Sequence, residues 1–301
     1  MVEDWETREL ADKGEILSYL ESDRLYGAYA IGDLEPELFA QSRWVGAEKA
    51  RQLRALILHF RGLKLPALFM MGDVEGLQAI LGDALRPEQV VYGNSSPRSE
   101  LVDKQGCFAN IDKRIVDVIP ISAYLTCRRQ HLRMVCGFYD FPEPVAMWRM
   151  VLNQERFTGP TRDCMQLTTE HSDRLSGLYA YGGGIGFSTA QLKNGVFRGL
   201  FVDNRLVAVA GTHFVSATYG VAAVGNVLTL PDYRGQGYGT ATISAVVADL
   251  VELGIRDIVL NVSQGNAPAI RIYGKLGFYP YCTFLEGRAC VLASGEQQPA
   301  V

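Results

Sequence analysis

Long apolar runs are missing from this 301-residue chain. The longest candidates, around residues 53–60 and 66–71, have strand length, whereas a bilayer span needs roughly 20 apolar residues. A basic surplus is missing too. Lys and Arg number 29 against 33 Asp and Glu, a formal net charge of −4, where a dedicated nucleic-acid binder carries excess positive charge. Short clusters such as Arg128-Arg129 with Arg133 read as solvated faces. The six cysteines, at 107, 127, 136, 164, 282 and 290, include no CxxC pair. Cys127, His131 and Cys136 fit no zinc spacing, so reduced thiols and no metal are expected. The opening Met1-Val2-Glu3-Asp4-Trp5-Glu6 has neither the positive n-region nor the apolar h-region of a secretory signal. These absences lead to the expectation of a cytoplasmic chain with no nucleic-acid and no membrane partner.

What is present is ordinary globular material, with 48% hydrophobic and 21% charged residues, and a length that suggests two domains. Turn and breaker residues cluster at Asp140-Phe141-Pro142-Glu143-Pro144 and Gly159-Pro160. They place an N-terminal domain over 1–140, a linker over 141–160 and a second domain over 161–293; the polar end, 294–301, reads as frayed. Periodicity in the first half predicts helices at 13–22, 24–33 and 74–82 and strands at 53–60, 66–71 and 88–92, with a further helix over 96–104. The second half alternates. A short strand at 164–167 precedes a helix opened by His171-Ser172-Asp173 and a second helix over 189–193. Strands at 197–202 and 206–213 meet at the two-residue turn Asp203-Asn204. A long strand, 219–230, leads to a helix over 239–253 closed by Gly254. A strand at 257–262, a helix at 266–276 and a strand near 282–285 follow.

The informative stretch lies between the long strand and its helix: Leu228-Thr229-Leu230-Pro231-Asp232-Tyr233-Arg234-Gly235-Gln236-Gly237-Tyr238-Gly239-Thr240. Three alternating glycines let backbone amides approach a ligand closely. At a helix N-terminus, unpaired N–H groups and the helix dipole favour an anion such as a pyrophosphate. The P-loop is excluded because no GK[ST] follows, and the dinucleotide fingerprint fails because threonine stands at 240 and at 242. Further on stands Asn266-Ala267-Pro268-Ala269-Ile270-Arg271-Ile272-Tyr273-Gly274-Lys275-Leu276-Gly277-Phe278.

The first stretch resembles motif A, [RQ]-x-x-G-x-[GA], and the second motif B, N-x-x-A-x-x-x-Y-x-K-x-G-F, of the GCN5-related N-acetyltransferase (GNAT) superfamily, in the family's order and at a usual separation. The resemblance covers about 164–285. It implies an α/β (α+β) fold with a central mixed, mostly antiparallel sheet flanked by helices. The strand and helix order of the first half suggests a degenerate copy of that fold, in a layout similar to glycine N-acyltransferase-like and tandem GNAT proteins. It implies acetyl-CoA as cosubstrate. Backbone groups of Leu228, Thr229 and Leu230 would bond the pantetheine arm. Amides from Gly235 to Thr240, in a loop with Arg234, Gln236, Gly237, Tyr238 and Gly239, would hold the pyrophosphate. Asn266, with Ala269 one turn along, would bond the pantetheine or order the splayed strands.

Acyl transfer to an amine then needs three things. Tyr273 is expected beside the sulfur, as the acid for the leaving thiolate, against the plainer reading of a packing tyrosine. The oxyanion takes a strand amide near Leu230. The base is missing from its usual strand, since Gly220-Val221-Ala222-Ala223-Val224-Gly225-Asn226-Val227 carries no acid. His213 stands in as candidate, against the reading of a structural histidine. The expected reaction is acetyl transfer from acetyl-CoA, through a ternary complex, to the primary amine of a small molecule or amino-acid derivative. The alternatives are a non-catalytic acyl-CoA-binding sensor and an N-acyltransferase using longer acyl groups. Association into a homodimer is left open. The glycine-rich 182–186 reads as an acceptor-site lid or a plain loop. Ser188 misses a nucleophile elbow for want of the last glycine and the preceding strand.

Overall fold

A computed structural model describes residues 4–85, 119–181 and 189–292. Along the chain come β1 (Glu6–Glu9), α1 (Lys13–Leu20), α2 (Ala28–Gly32), α3 (Pro36–Phe39), β2 (Ser42–Lys49), β3 (Gln52–Phe60), β4 (Ala67–Gly72), α4 (Val74–Ala84), β5 (Ser122–Cys127), α5 (Leu132–Val135), β6 (Tyr139–Asp140) and β7 (Val145–Leu152). Then follow β8 (Met165–Gln166), α6 (Ser172–Tyr181), α7 (Thr189–Asn194), β9 (Phe197–Val202), β10 (Arg205–Ser216), β11 (Val221–Thr229), α8 (Tyr238–Glu252), β12 (Asp257–Ser263), α9 (Ala267–Lys275) and β13 (Phe278–Val291). The expected strand at 88–92, helix at 96–104, glycine segment at 182–186, Ser188 and the end from 294 lie outside the described residues.

The chain divides into two compact units, each assembled from separated stretches. The first takes Met1–Ser22, Pro36–Met147 and Thr283–Val301; the second takes Asp23–Glu35 and Trp148–Cys282. In the first unit β2 and β3 form a hairpin turned by Ala50 and Arg51, both left-handed at φ 53° and 60°. β1 flanks it on one side and β4 on the other, all antiparallel. β4 runs parallel to β5 over Ala67–Phe69 against Tyr124–Thr126, and β5 is antiparallel to residues 285–290 of β13. The buried Leu77, Ile80, Leu81 and Ala84 of α4 close the core over Ile57, Leu68 and Met70.

In the second unit the order is β7-β12-β11-β10-β9-β8. β8 to β11 pair antiparallel in succession, whereas β11 and β12 are parallel. The β9–β10 turn is the expected Asp203-Asn204, with φ 48° and 62°, the left-handed pair of a type I′ hairpin. Successive residues of β11 alternate between cores. Ala222 and Val224 face Ile243, Val246, Val247 and Leu250 of α8. Ala223 joins Val151, Val259 and Ala28 of α2. Leu175, Leu178 and Tyr179 of α6 pack with Phe197, Val207 and Val209.

Several elements differ from the sequence reading. The stretch expected as linker, 141–160, holds β7, and Pro142 and Pro144 stand just before that strand, where a missing donor does no harm. β1, β2 and β5 carry no clean alternation and were not expected. The expected helix at 24–33 is shorter, Ala28–Gly32, and the last strand is much longer, Phe278–Val291.

Candidate active site

Two parallel strands that stop pairing make an opening. β11 and β12 are in register from Val221–Val224 against Asp257–Leu260, and there the ladder ends, although β11 continues to Thr229 and β12 to Ser263. The cause is a bulge in β11. Its register with β10 passes from Val209↔Leu228 to Gly211↔Gly225, and Asn226 is left-handed at φ 51°. A bulge bends and twists its strand. Asn226 is held from two sides. Its Nδ2 donates to the Thr212 carbonyl at 3.1 Å, and its carbonyl accepts from the Tyr179 hydroxyl at 2.5 Å. Asn261 follows the last paired residue of β12, and its Oδ1 is buried with no hydrogen-bond partner among the described residues. Such an acceptor is costly unless something donates to it.

The glycine loop stands at the end of β11. Gly235 and Gly237 have φ of 76° and 80°, and a Cβ built on either would meet nothing within 4 Å. Their need for glycine is therefore conformational, and the space beside them is open. Gly237 is the N-cap of α8, and the first helical bond runs from the Ala241 N–H to the Gly237 carbonyl at 2.9 Å. The amides of Tyr238, Gly239 and Thr240 precede that bond and belong to the unsatisfied first turn. Gly239 is closer packed, its Cβ position 3.1 Å from Thr229 Oγ1. Arg234 Nε donates to the Thr229 carbonyl at 3.2 Å and Gln236 Nε2 to the Asp232 carbonyl at 3.4 Å, so both side chains brace the loop. Leu228 and Thr229 are half-buried and Leu230 is buried, its N–H bonded to the Val207 carbonyl at 2.9 Å. The exposed Arg162 guanidinium lies 5.4 Å from the Tyr238 ring centre and adds a cation beside the loop. Sequence reasoning missed Arg162 because no motif contains it.

Motif B is a helix that its own residues start. Asn266 caps α9, its Oδ1 accepting from the Ala269 N–H at 3.2 Å, so both residues shape the helix start. Tyr273 lies one turn from the helix end, buried, its ring edge-on to Phe278 at 6.0 Å. Burial pushes its phenol up to about 12, so it holds its proton at neutral pH.

His213 occupies a second bulge. The β10–β11 register shifts again between Thr212 and Phe214, leaving His213 as the extra residue. Gly225 makes room for it, since a Cβ there would stand 2.1 Å from His213 Nε2. The residue is exposed, and neighbouring protein groups crowd its ring. Desolvation, and then the nearby Arg149 guanidinium, lower its pKa to about 4. It is neutral at physiological pH. Tyr29 of α2 faces it at 5.8 Å and Phe214 at 5.3 Å. Tyr29 and Arg149 are site neighbours that the sequence did not announce, because they come from 184 and 64 positions upstream of His213 (213 − 29 and 213 − 149).

Among the described residues no three His, Cys, Asp or Glu side chains gather as metal ligands, and no helix is long and apolar enough to cross a membrane. Cys127, Cys136, Cys164 and Cys282 are free thiols.

The sequence profile of the acetyltransferase (GNAT) family matches residues 166–278. A mycothiol acetyltransferase of Actinosynnema mirum is 44% identical over 48 residues, 16% of this chain and 16% of that protein. The ribosomal protein bS18 alanine N-acetyltransferase of Escherichia coli is 37% identical over 57 residues, 19% of this chain and 38% of that protein. The chain thus spans well under half the length of these curated relatives. A GCN5-related N-acetyltransferase structure from Sphaerobacter thermophilus shares the fold at TM-score 0.58 and 15% identity, over 94% of this chain and 95% of that one.

Proposed function

We propose, from the match of residues 166–278 to the acetyltransferase (GNAT) family, that the second unit transfers acetyl from acetyl-CoA to the primary amine of a small molecule. The observation that carries this reading is the parting of β11 from β12 directly before the glycine loop. A pantetheine arm needs a strand edge without a strand partner, and β11 past Val224 has such an edge on its β12 side. A pyrophosphate needs converging amides and an electropositive helix end, and Tyr238, Gly239 and Thr240 supply those. Arg162 adds charge for a phosphate, and the Asn261 side chain offers the pantetheine amides an acceptor.

In the ternary complex the acceptor amine approaches the thioester at the parting of the strands. The nitrogen attacks the carbonyl carbon, and the developing oxyanion takes a strand amide near Leu230. Tyr273 supplies a proton at the departing sulfur. A phenol near 12 is too weak an acid to protonate a thiolate of about 8.5 unaided, so it gives one proton as it receives another from the reacting nitrogen.

The test is thiol release from acetyl-CoA, followed with and without a panel of primary amines. Release that depends on the amine, with an amide as product, is the expected result. Tight acetyl-CoA binding with no amine-dependent release would make the chain a binding module, and equal or faster turnover of longer acyl-CoA would change the donor.

A further inference from the structure

The proposed reaction has no acid on β11 to serve as base, and the elements around the opening extend that absence. β10, β11, α2 and α9 contain no Asp or Glu, and β12 contains none after Asp257, its first residue. Asp257 pairs with Arg24 at 2.7 Å, at the laddered end of the strand. Gly32 abuts Phe214 and Glu35 accepts from the Ser216 hydroxyl at 2.6 Å. The end of α2, with Asp33 and Glu35, therefore lies along the stretch where β11 and β12 still pair.

What stands at the opening is polar and uncharged. The last pair of the β11–β12 ladder is Val224 and Leu260, so the next step sets Gly225 opposite Asn261. Val224 and Leu260 both pack with α8, and side chains alternate along a strand. Gly225 and Asn261 therefore both belong to the other face, with Ala223, Val259 and α2. Gly225 has no side chain, and the His213 imidazole takes that place, its Cε1 2.8 Å from where a Cβ would be. His213 and Asn261 thus hold adjacent side-chain positions on one face, across the gap where the strands part. Paired strands lie about 4.8 Å apart, and two hydrogen bonds meeting at one atom span up to about 6 Å, so one small polar group can bridge the gap. Neither ring nitrogen of His213 bonds to a described residue, and Asn261 Oδ1 is buried without a partner among them. Tyr29 faces the imidazole at 5.8 Å, and the Arg149 guanidinium lies 4.5 Å from the Tyr29 ring centre, so the charge behind the pair is positive.

On this juxtaposition, and resting on the acetyltransferase reading, we infer that His213 and Asn261 seat the acceptor as a neutral amine, each accepting one of its N–H bonds, and that weakly basic primary amines are the substrate class. An ammonium there would meet the Arg149 charge and no carboxylate. A neutral imidazole keeps one nitrogen as an acceptor, and His213, at about 4, stays neutral. The Asn261 oxygen has two lone pairs, so it can take the amine while a pantetheine amide takes the other. Fixing both N–H bonds leaves the nitrogen lone pair aimed at the thioester. The steps then balance without a base. The lone pair forms the C–N bond to the thioester carbon, and the C–S bond breaks. Of the two protons on nitrogen, one stays in the amide and the other reaches sulfur by way of Tyr273. The products are the amide and CoA as its thiol. An α-amino group, with a pKa of about 8, is partly neutral at physiological pH, whereas an alkylamine near 10.4 is neutral to only about one part in a thousand.

The experiment is the pH profile of kcat/KM for acetyl transfer from acetyl-CoA to glycinamide, phenethylamine and butylamine, in the full chain and its variants. With glycinamide the wild type should rise about tenfold per pH unit and level near the amine's own pKa, about 8. With butylamine it should still be rising at about pH 9.5, since that amine titrates near 10.4. His213→Phe keeps a ring over Gly225 and Asn261→Leu keeps bulk on β12, and each should lower kcat/KM for glycinamide by about tenfold. His213→Gln should restore most of the loss, and acetyl-CoA affinity of His213→Phe, read by calorimetry, should stay within about twofold. Asn261→Asp puts a carboxylate in the seat, so butylamine should gain at least about tenfold over glycinamide near neutral pH. A wild-type profile that levels well below each amine's pKa, or full turnover in folded His213→Phe and Asn261→Leu, overturns the inference and leaves acetyl transfer intact. A wild type with no amine-dependent turnover overturns the acetyltransferase reading, and the seat falls with it.

Discussion

The hydroxyl of Tyr179, on α6, holds the carbonyl of Asn226 at 2.5 Å, at the one residue of β11 whose backbone turns left-handed. That contact pins the bulge that ends the β11–β12 ladder, so it links a helix of the second unit to the shape of the opening. Tyr179→Phe keeps the ring in its core and removes the bond. A lost internal hydrogen bond costs about 1 kcal/mol, and the bulge, no longer held on one side, should bind acetyl-CoA several-fold more weakly. Chemical denaturation and calorimetry check the two effects. Unchanged affinity would free the bulge from any dependence on Tyr179.

Gly237 has open space around its Cβ position and a φ of 80°. Gly237→Ala therefore tests backbone strain alone, about 1–2 kcal/mol for a left-handed residue, and should weaken acetyl-CoA binding modestly. Gly237→Val carries bulk into the open space where the pyrophosphate would lie and should lose at least about tenfold more. Equal affinities for the two folded variants would remove the pyrophosphate from this loop.

Tyr273 packs against Phe278 and holds its proton to about pH 12. Tyr273→Phe should retain stability and acetyl-CoA affinity while kcat falls by roughly 10²-fold, the usual range for one proton-transfer group. The measurement is single-turnover acetyl transfer to the same amines, where product release cannot mask chemistry. An unchanged rate there would reduce Tyr273 to a packing residue.

Asp33 and His213 have opposite effects on stability against pH. The His213 pKa is lowered from 6.5 to about 4, so the unfolded chain binds the extra proton between those values and stability is lost as pH falls through them. The Asp33 pKa is raised from 3.8 to about 8, so the folded chain holds the extra proton and stability declines as pH rises from 3.8 to 8. Between about 4 and 6.5 the two slopes cancel. From 6.5 to 8 only Asp33 acts. Asp33→Asn should therefore gain stability over the wild type with rising pH, by ~2–4 °C in Tm for each kcal/mol relieved. A difference in Tm that is flat from pH 6 to 9 would place Asp33 in water.

The first unit should take up no second acetyl-CoA. β4 reaches α4 through Asp73 alone, whereas Leu230–Gly237 intervene between β11 and α8. Gly72 is left-handed too, at φ 117°, but its Cβ position is 2.3 Å from the Arg54 carbonyl oxygen and is crowded by the Tyr19 hydroxyl, which donates to that same carbonyl at 2.7 Å. Calorimetric titration of the full chain should give one site, and a stoichiometry of two would refute this.

The parts of the site that a local rule governs were readable from residue order. Alternating glycines, the Asp203-Asn204 turn and the α9 stripe ending in Tyr273 each depend on neighbours within a few positions. The parts set by distant packing were not. β7 looked like a linker because its prolines precede it and its alternation is weak. Arg149 fell inside that expected linker, and only the fold places Tyr26 and Tyr29 around it. Nothing near Asp33 in sequence marks it as a carboxyl that burial would hold protonated. Its surroundings come from Phe214 and Ser216, and an acidic residue at a helix end is ordinarily a solvated one. The bulge at His213 is likewise a property of two strands in register.

The membership of Asp23–Glu35 in the second unit also bears on how the molecule comes into being. A ribosome releases this segment early and must then make more than a hundred further residues before β10 and β11 exist for it to rest on. Until then Tyr29, Ile31 and Leu34 have no such surface to cover them, and the nascent chain carries an apolar segment waiting for its complement. Expression of the second half alone would leave Ala223 and Val259 bare where Ala28 belongs. Supplying residues 23–35 as a separate peptide is the natural way to make that half whole.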